Sequence, residues 1–220
     1  MQQLIRAQAA FDICDTDGLT PLEWAVDAGR PEIAALLQQQ VFEPRVLCGL
    51  LDAPLVAKLC ALRSAVTPVH DDGAGHEVIF LHAAQAQLCL SAEVEEVFAA
   101  LIQAMKDNDP RGGSLADELS VRCVELHHYS VGARLMDPDH KDSGSSLTMS
   151  VALTDPATLS GGEFITWEGE KAVLHKLNMG DAILFRSESI HNVAPVKAGV
   201  RMTLVLELWV GGPNRVDRNR

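Results

Sequence analysis

Residues 180–210 read GDAILFRSESIHNVAPVKAGVRMTLVLELWV. Three short apolar runs, 182–185, 192–196 and 201–210, follow one another with Gly180-Asp181 before the first and Gly199 before the last. Glycine and aspartate punctuate a chain at turns, and apolar runs of this length between such breaks read as strands. The same rhythm runs back to residue 121, through 121–129, 133–136, 147–153, 163–167 and 172–175. Its breaks carry Gly132, Asp137-Pro138, Gly144, Gly161-Gly162 and Glu168-Gly169. Short strands at this density, with no helix among them, predict a double-sheet jelly roll or barrel. A small barrel of this kind can hold one ligand inside.

Upstream the pattern changes. Apolar residues at helical spacing predict a helix over 46–66 after Pro44 and a second, strongly amphipathic one over 92–105. A strand is expected over 76–82, after the Asp71-Asp72-Gly73 turn, and a loop over 107–113. The fold class is therefore α+β: a jelly-roll core over 121–210, flanked by a helical and strand support region over 41–120. Loops at 68–78 and 107–117 have the length and polarity to border a ligand mouth. The polar tail 211–220 is expected to be loose.

Residues 1–40 read as helix, turn, helix. Gly18-Leu19-Thr20-Pro21-Leu22, then Ala25, Gly29 and Ile33 to Leu37, resemble the ankyrin repeat. Thr20 is placed to cap the first helix, with Pro21 at its first position and Glu23 completing the box. Gly29 is placed to stop it in the left-handed conformation. One such unit cannot bury its own face. Leu22, Ala25, Ile33, Leu36 and Leu37 are thus expected to pack on the helix of 46–66 or that of 92–105, and the unit could carry a protein partner.

The 220 residues hold 47% hydrophobic and 22% charged side chains, a globular balance with material for a sizeable core. The formal charge of −12 argues against nucleic acid and anionic membrane as partners. Neither a membrane-length apolar run nor a signal-peptide pattern is visible. Five scattered cysteines (Cys14, Cys48, Cys60, Cys89, Cys123) without any CxxC suggest reduced thiols and an intracellular, cytoplasmic setting.

His140-Lys141-Asp142 places an imidazole and a carboxylate two residues apart, and His191 supplies a second imidazole. Two histidines and one carboxylate make the facial triad of non-haem Fe(II) oxygenases, with positions left open for reactants. HxD alone is also met as an ordinary surface pair. Around it, however, the motifs accumulate. They are Tyr129-Ser-Val-Gly132 before HxD, the strand 147–153, Gly161-Gly162-Glu163-Phe164, Gly180-Asp181 with Phe185, His191-Asn-Val-Ala-Pro195-Val196, then Arg201 and finally Trp209. In this order they resemble the 2-oxoglutarate/Fe(II) dioxygenases of the prolyl 4-hydroxylase and procollagen lysyl hydroxylase branch, over about residues 121–210.

The resemblance implies a double-stranded β-helix in which His140, Asp142 and His191 hold Fe(II). It implies that Arg201 binds the distal carboxylate of 2-oxoglutarate, since a guanidinium fork matches a carboxylate bidentately. Thr203, on the face of Arg201, could donate to the same carboxylate. Tyr129 could hydrogen-bond the cosubstrate; packing at the barrel mouth is an equal reading. The implied reaction consumes O2 and 2-oxoglutarate, releases succinate and CO2, and hydroxylates an unactivated C–H, with ascorbate as a candidate reductant. The branch points to a prolyl or lysyl side chain of a protein or peptide, or to a small molecule. His127 and His128, as strand neighbours, face opposite sides: one lumenal or packing, the other exposed. His70, His76, His82 and His175 read as structural, and Lys141 as pointing away from the metal. Two other classes stay in view: an inactive oxygenase-fold scaffold working through residues 1–40, and a cupin-type metalloenzyme without a keto acid. The intact His-Asp-His-Arg set argues against the first, and Arg201 against the second.

Overall fold

The structure, a computed structural model, describes residues 16, 19–38, 43–68, 70–109, 117–168 and 171–214. Helices α1 (Pro21–Asp27) and α2 (Pro31–Gln38) form an N-terminal hairpin. Thr20 and Glu23 make the expected reciprocal capping box, and Gly29, with φ of 60°, breaks the chain between the helices. Ala25 and Leu37 are buried, yet neither belongs to the two hydrophobic clusters that fill the rest of the molecule. Trp24 and Val26 on α1 face solvent.

After strand β1 (Arg45–Leu47) come α3 (Ala53–Ala65), β2 (His70–Asp71), β3 (His76–Phe80), the short α4 (Ala84–Gln87) and α5 (Ala92–Asp107). Then follow β4 (Leu119–Tyr129), β5 (Leu147–Ala152), β6 (Ser160–Gly161), β7 (Phe164–Glu168) and β8 (Lys171–His175). Strands β9 (Ala182–Arg186), β10 (His191–Val193), β11 (Val196–Ala198) and β12 (Arg201–Val210) complete the chain. The major sheet has the order β1-β9-β5-β12-β4-β3-β2, antiparallel throughout. A smaller sheet, β10-β7-β8, and the pair β11-β6 make up the second layer.

Period-two alternation divides the major sheet between two tasks. Leu204, Leu206 and Leu208 of β12 share a face with Val124 and Leu126 of β4 and with Leu147, Met149 and Val151 of β5. That face packs on Val56, Leu59 and Leu62 of α3 and Val94, Phe98, Leu101 and Met105 of α5. The opposite face carries Arg201, Thr203, Glu125, His127, Tyr129, Thr148 and Ser150, and looks toward the smaller sheet. Helices thus seal one side and leave the other for chemistry. Leu206 is fully buried in the helix-packed core. Leu206→Ala is expected to cost about 2–5 kcal/mol of stability, the range for a buried Leu truncation, read by chemical denaturation.

Several expectations need correction. The helix expected over 46–66 is a strand followed by a helix: β1 pairs with β9, and Asp52, whose side chain accepts from Leu55 N–H, starts α3. Residues 133–136 form only an isolated bridge, Leu135 to Val193. The run 192–196 divides into β10 and β11 at Ala194-Pro195, where proline has no N–H for a ladder. Region 41–120 contributes β1, β2 and β3 to the major sheet as well as its helices. Residues 211–214 are tied down, Asn214 bonding to Val121 and Arg122; the rest of the tail, and the loop 110–116, lie outside the described residues. Among the described residues no helix is long and apolar enough to cross a membrane, and no disulfide links Cys48, Cys60, Cys89 or Cys123. Cys14 lies outside the described residues.

Candidate active site

His140 and Asp142 sit in the turn segment between β4 and β5, and His191 opens β10. Backbone bonds tie these segments together: Asp142 N–H donates to Ser187 O at 2.8 Å and His191 N–H to His140 O at 3.2 Å. One ligand atom from each of the three residues can be chosen so that all lie within 4.8 Å of one another. His191 Nε2 is 3.5 Å from Asp142 Oδ2, and His140 Nε2 is 3.8 Å from Oδ1. The two imidazoles meet edge to face, centroids 4.7 Å apart.

Neighbouring groups set the orientation of each donor. His191 Nδ1–H donates to the Ser189 carbonyl at 3.0 Å, so the Nε2 lone pair points toward Asp142. Thr148 Oγ1 donates to Asp142 Oδ2 at 2.9 Å and shares a hydrogen bond with Ser187. Phe164 and Phe185 flank the His191 ring. Two imidazole nitrogens and one carboxylate, oriented in this way, fit a divalent first-row metal with coordination positions left open.

The triad lines a cavity of about 630 Å³ that also takes in Arg201, Thr203 and Tyr129. All three sequence-predicted cosubstrate residues therefore share one chamber with the predicted metal ligands. Arg201 is 6% exposed, and burial lowers its proton affinity from the ordinary guanidinium value. Its Nη1 donates to Thr203 Oγ1 at 3.1 Å, and its guanidinium carbon lies 5.1 Å from the centre of the Tyr129 ring. Among the described residues no carboxylate forms an ion pair with it. The Gly161-Gly162 turn passes close by. A Cβ on Gly162, where φ is 72°, would stand 3.1 Å from Arg201 Cδ, and one on Gly161 would meet the Pro195 carbonyl. Glycines let the turn close over the arginine.

A polar wall of this cavity escaped the sequence reading. His76, read as structural, lines it and stacks on Tyr129 with ring centres 4.0 Å apart. Its Nε2 is 3.0 Å from His127 Nδ1, and His127 Nε2 is 2.8 Å from Glu125 Oε2. Burial, then the neighbouring His127, pushes the pKa of His76 down to about 3. His70 and Asp72 extend the wall, bearing out the expectation that loop 68–78 borders the mouth. Lys141 also lines the cavity, contrary to its expected outward direction. His128 faces away, as alternation requires, but is packed near Glu77 and not exposed. His82 and His175 are structural as read, bonding to Val124 and Thr166. The signal available was the alternation Glu125, His127, Tyr129 on one face of β4; His76 belongs to a distant segment and left no local trace. Cys123, Glu125 and Glu207 also cluster, tied by the Cys123 thiol to Glu125 and by Ser145 and Arg122 to Glu207.

The chain superposes on an oxidoreductase of the 2OG-Fe(II) oxygenase family from Burkholderia pseudomallei with a TM-score of 0.55. That match covers 93% of this chain and 97% of the other at 15% identity. A viral collagen prolyl hydroxylase from Paramecium Bursaria Chlorella virus-1, solved as its 2OG complex, gives a TM-score of 0.55 over 77% of this chain and 96% of that one, at 16% identity. The fold is that of the 2-oxoglutarate/Fe(II) oxygenases. The sequence is also similar to PKHD-type hydroxylases. One from Caulobacter sp. is 29% identical over 141 residues, 59% of this chain and 60% of the relative. One from Psychrobacter sp. is 36% identical over 86 residues, 38% of this chain and 32% of the relative. The chain thus spans less than two thirds of these curated relatives. No protein-family model matches it, and an ankyrin unit finds no support in these comparisons. Within the oxygenase fold, the triad and Arg201 occupy one chamber between the two sheets.

Proposed function

We propose that the chain is an Fe(II)- and 2-oxoglutarate-dependent hydroxylase. The observation that carries this is Arg201: a buried guanidinium with no acidic partner among the described residues, in the same cavity as His140, Asp142 and His191. An unpaired buried charge is costly, and a dicarboxylate in the cavity offsets that cost. His140, Asp142 and His191 would hold the metal, with the Asp142 carboxylate steadied by Thr148. Arg201 and Thr203 would bind the distal carboxylate. Tyr129, packed against Arg201, would border the same group. When bound, the metal and the keto acid supply the oxidation: O2 is consumed, 2-oxoglutarate leaves as succinate and CO2, and a C–H becomes C–OH. The chain's part is to orient these reactants and to exclude water, for which Phe164 and Phe185 beside His191 are suited.

For the acceptor, we favour a prolyl or lysyl side chain of a protein or peptide, supported by the likeness to PKHD-type hydroxylases and to a collagen prolyl hydroxylase fold. A small-molecule acceptor is the second reading. The exposed Trp24 and Val26 support a protein-partner role for the N-terminal hairpin. Ascorbate would serve as reductant, and the five scattered cysteines without a CxxC pattern support a reducing, cytoplasmic setting. The test is incubation with Fe(II), 2-oxoglutarate, ascorbate and O2 against peptide and metabolite libraries. Succinate formation with the mass gain of one oxygen atom in an acceptor supports the reading. No succinate under any condition overturns it.

A further inference from the structure

Three strands set three side chains in a row. Tyr129 on β4 is the register partner of His76 on β3 and of Arg201 on β12. The His76 and Tyr129 rings are nearly parallel, 8° apart, and Arg201 lies beyond the phenol. His127, two residues before Tyr129 on the same strand face, closes the group.

The protons in this group can be assigned in turn. A neutral imidazole has one N–H and one lone pair. The Glu125 carboxylate accepts from His127 Nε2–H at 2.8 Å, which leaves the lone pair of His127 on Nδ1. His76 Nε2 is 3.0 Å from that nitrogen, so its N–H donates there. The Tyr129 hydroxyl lies 3.5 Å from the same nitrogen, at the far limit of a hydrogen bond, and competes for a lone pair already taken. Burial, the largest cause, lowers the pKa of His76 to about 3, so this imidazole is neutral at physiological pH. Among the described residues, the Tyr129 hydroxyl has no other hydrogen-bond partner. It borders the cavity beside Arg201. A buried hydroxyl without a good acceptor is costly.

We propose that His76 is a positioning residue for 2-oxoglutarate: by filling the His127 Nδ1 lone pair it leaves the Tyr129 hydroxyl proton for the cosubstrate carboxylate. The proposal rests on the oxygenase reading above. Without the His76 N–H, the hydroxyl turns to His127 and is lost to the ligand.

The experiment measures 2-oxoglutarate affinity by calorimetry on Mn(II)-loaded protein, for wild type, His76→Phe, His76→Gln, Tyr129→Phe and the His76→Phe/Tyr129→Phe double variant. Phenylalanine keeps the ring stack and removes the N–H; glutamine keeps an N–H donor. We expect His76→Phe to raise Kd about tenfold, the value of one hydrogen bond to a charged group. Tyr129→Phe should do the same, and the double variant should be no worse than Tyr129→Phe alone. His76→Gln should recover most of the affinity, and Mn(II) uptake should not change. An unaltered Kd in His76→Phe, or penalties that multiply in the double variant, overturns the proposal. Tyr129 is the only tyrosine, so a second reading needs no variant at position 76. 2-Oxoglutarate should perturb the tyrosine absorbance of the Mn(II)-loaded wild type, and an unchanged spectrum on saturation also overturns the proposal. Wild type that takes up Mn(II) but no 2-oxoglutarate overturns the cosubstrate reading itself, a result distinct from either of these.

Discussion

Arg201→Ala is expected to weaken 2-oxoglutarate binding by two or more orders of magnitude while metal uptake stays intact. The guanidinium is buried, bonded within the protein to the Thr203 hydroxyl, and has no acidic partner among the described residues. A dicarboxylate entering the cavity would pair with it out of reach of bulk water. Breaking such a buried pair costs about 3–5 kcal/mol, which is more than a hundredfold in Kd. Arg201→Lys should recover little, because an ammonium cannot reproduce the two-pronged geometry. Arg201 is not among the grouped metal-ligating residues, so Mn(II) uptake serves as an internal control. A variant that loses stability yet keeps its affinity for 2-oxoglutarate would show that the arginine only braces β12. Calorimetric titration of the Mn(II)-loaded variant decides the matter.

His191→Ala is expected to abolish stoichiometric metal uptake. The triad offers one carboxylate and two imidazoles, and His191 is held between Phe164, Phe185 and the Ser189 carbonyl. Removing it leaves a turn with two donors, His140 and Asp142, and a gap on the β10 side. In wild type, metal at a hundred times its Kd should stabilise the fold by about 2.7 kcal/mol, because it binds only the folded form. The variant should show no metal-dependent rise in melting temperature and no bound Mn(II) after gel filtration. Unchanged uptake would remove His191 from the metal site.

Why the triad was legible and the wall beside it was not comes down to distance along the chain. His140 and Asp142 are two residues apart, and His191 and Arg201 each stand at the start of a strand, β10 and β12, whose apolar run is visible in the sequence. Such local signals survive in a single sequence. The pairing of His76 with His127 and Tyr129 is a product of strand register between β3 and β4, and nothing near His76 announces it. The same holds for β1. Its three residues are strand because β9 offers an open edge, whereas their own pattern joins smoothly to the helix that follows. Residues 133–136 fail in the opposite sense: they have strand composition but gain only a single bridge to β10. The N-terminal hairpin shows a third case: its capping chemistry is local and was legible, whereas the contacts that bury Leu37 have no local signature.

The row of His76, Tyr129 and Arg201 across three neighbouring strands has a consequence for how the protein comes into being. These residues are far apart in the chain, and each meets the next only when the long pairings of β3 with β4 and β4 with β12 have formed. Contacts of such large sequence separation are slow to close, since loop entropy is lost before any pairing energy returns. During synthesis β12 emerges last of the major sheet's strands. A nascent chain can therefore form its helices early, but it has no complete anion-binding chamber until β12 has been made. Competence to bind the keto acid and completion of the major sheet are then a single event.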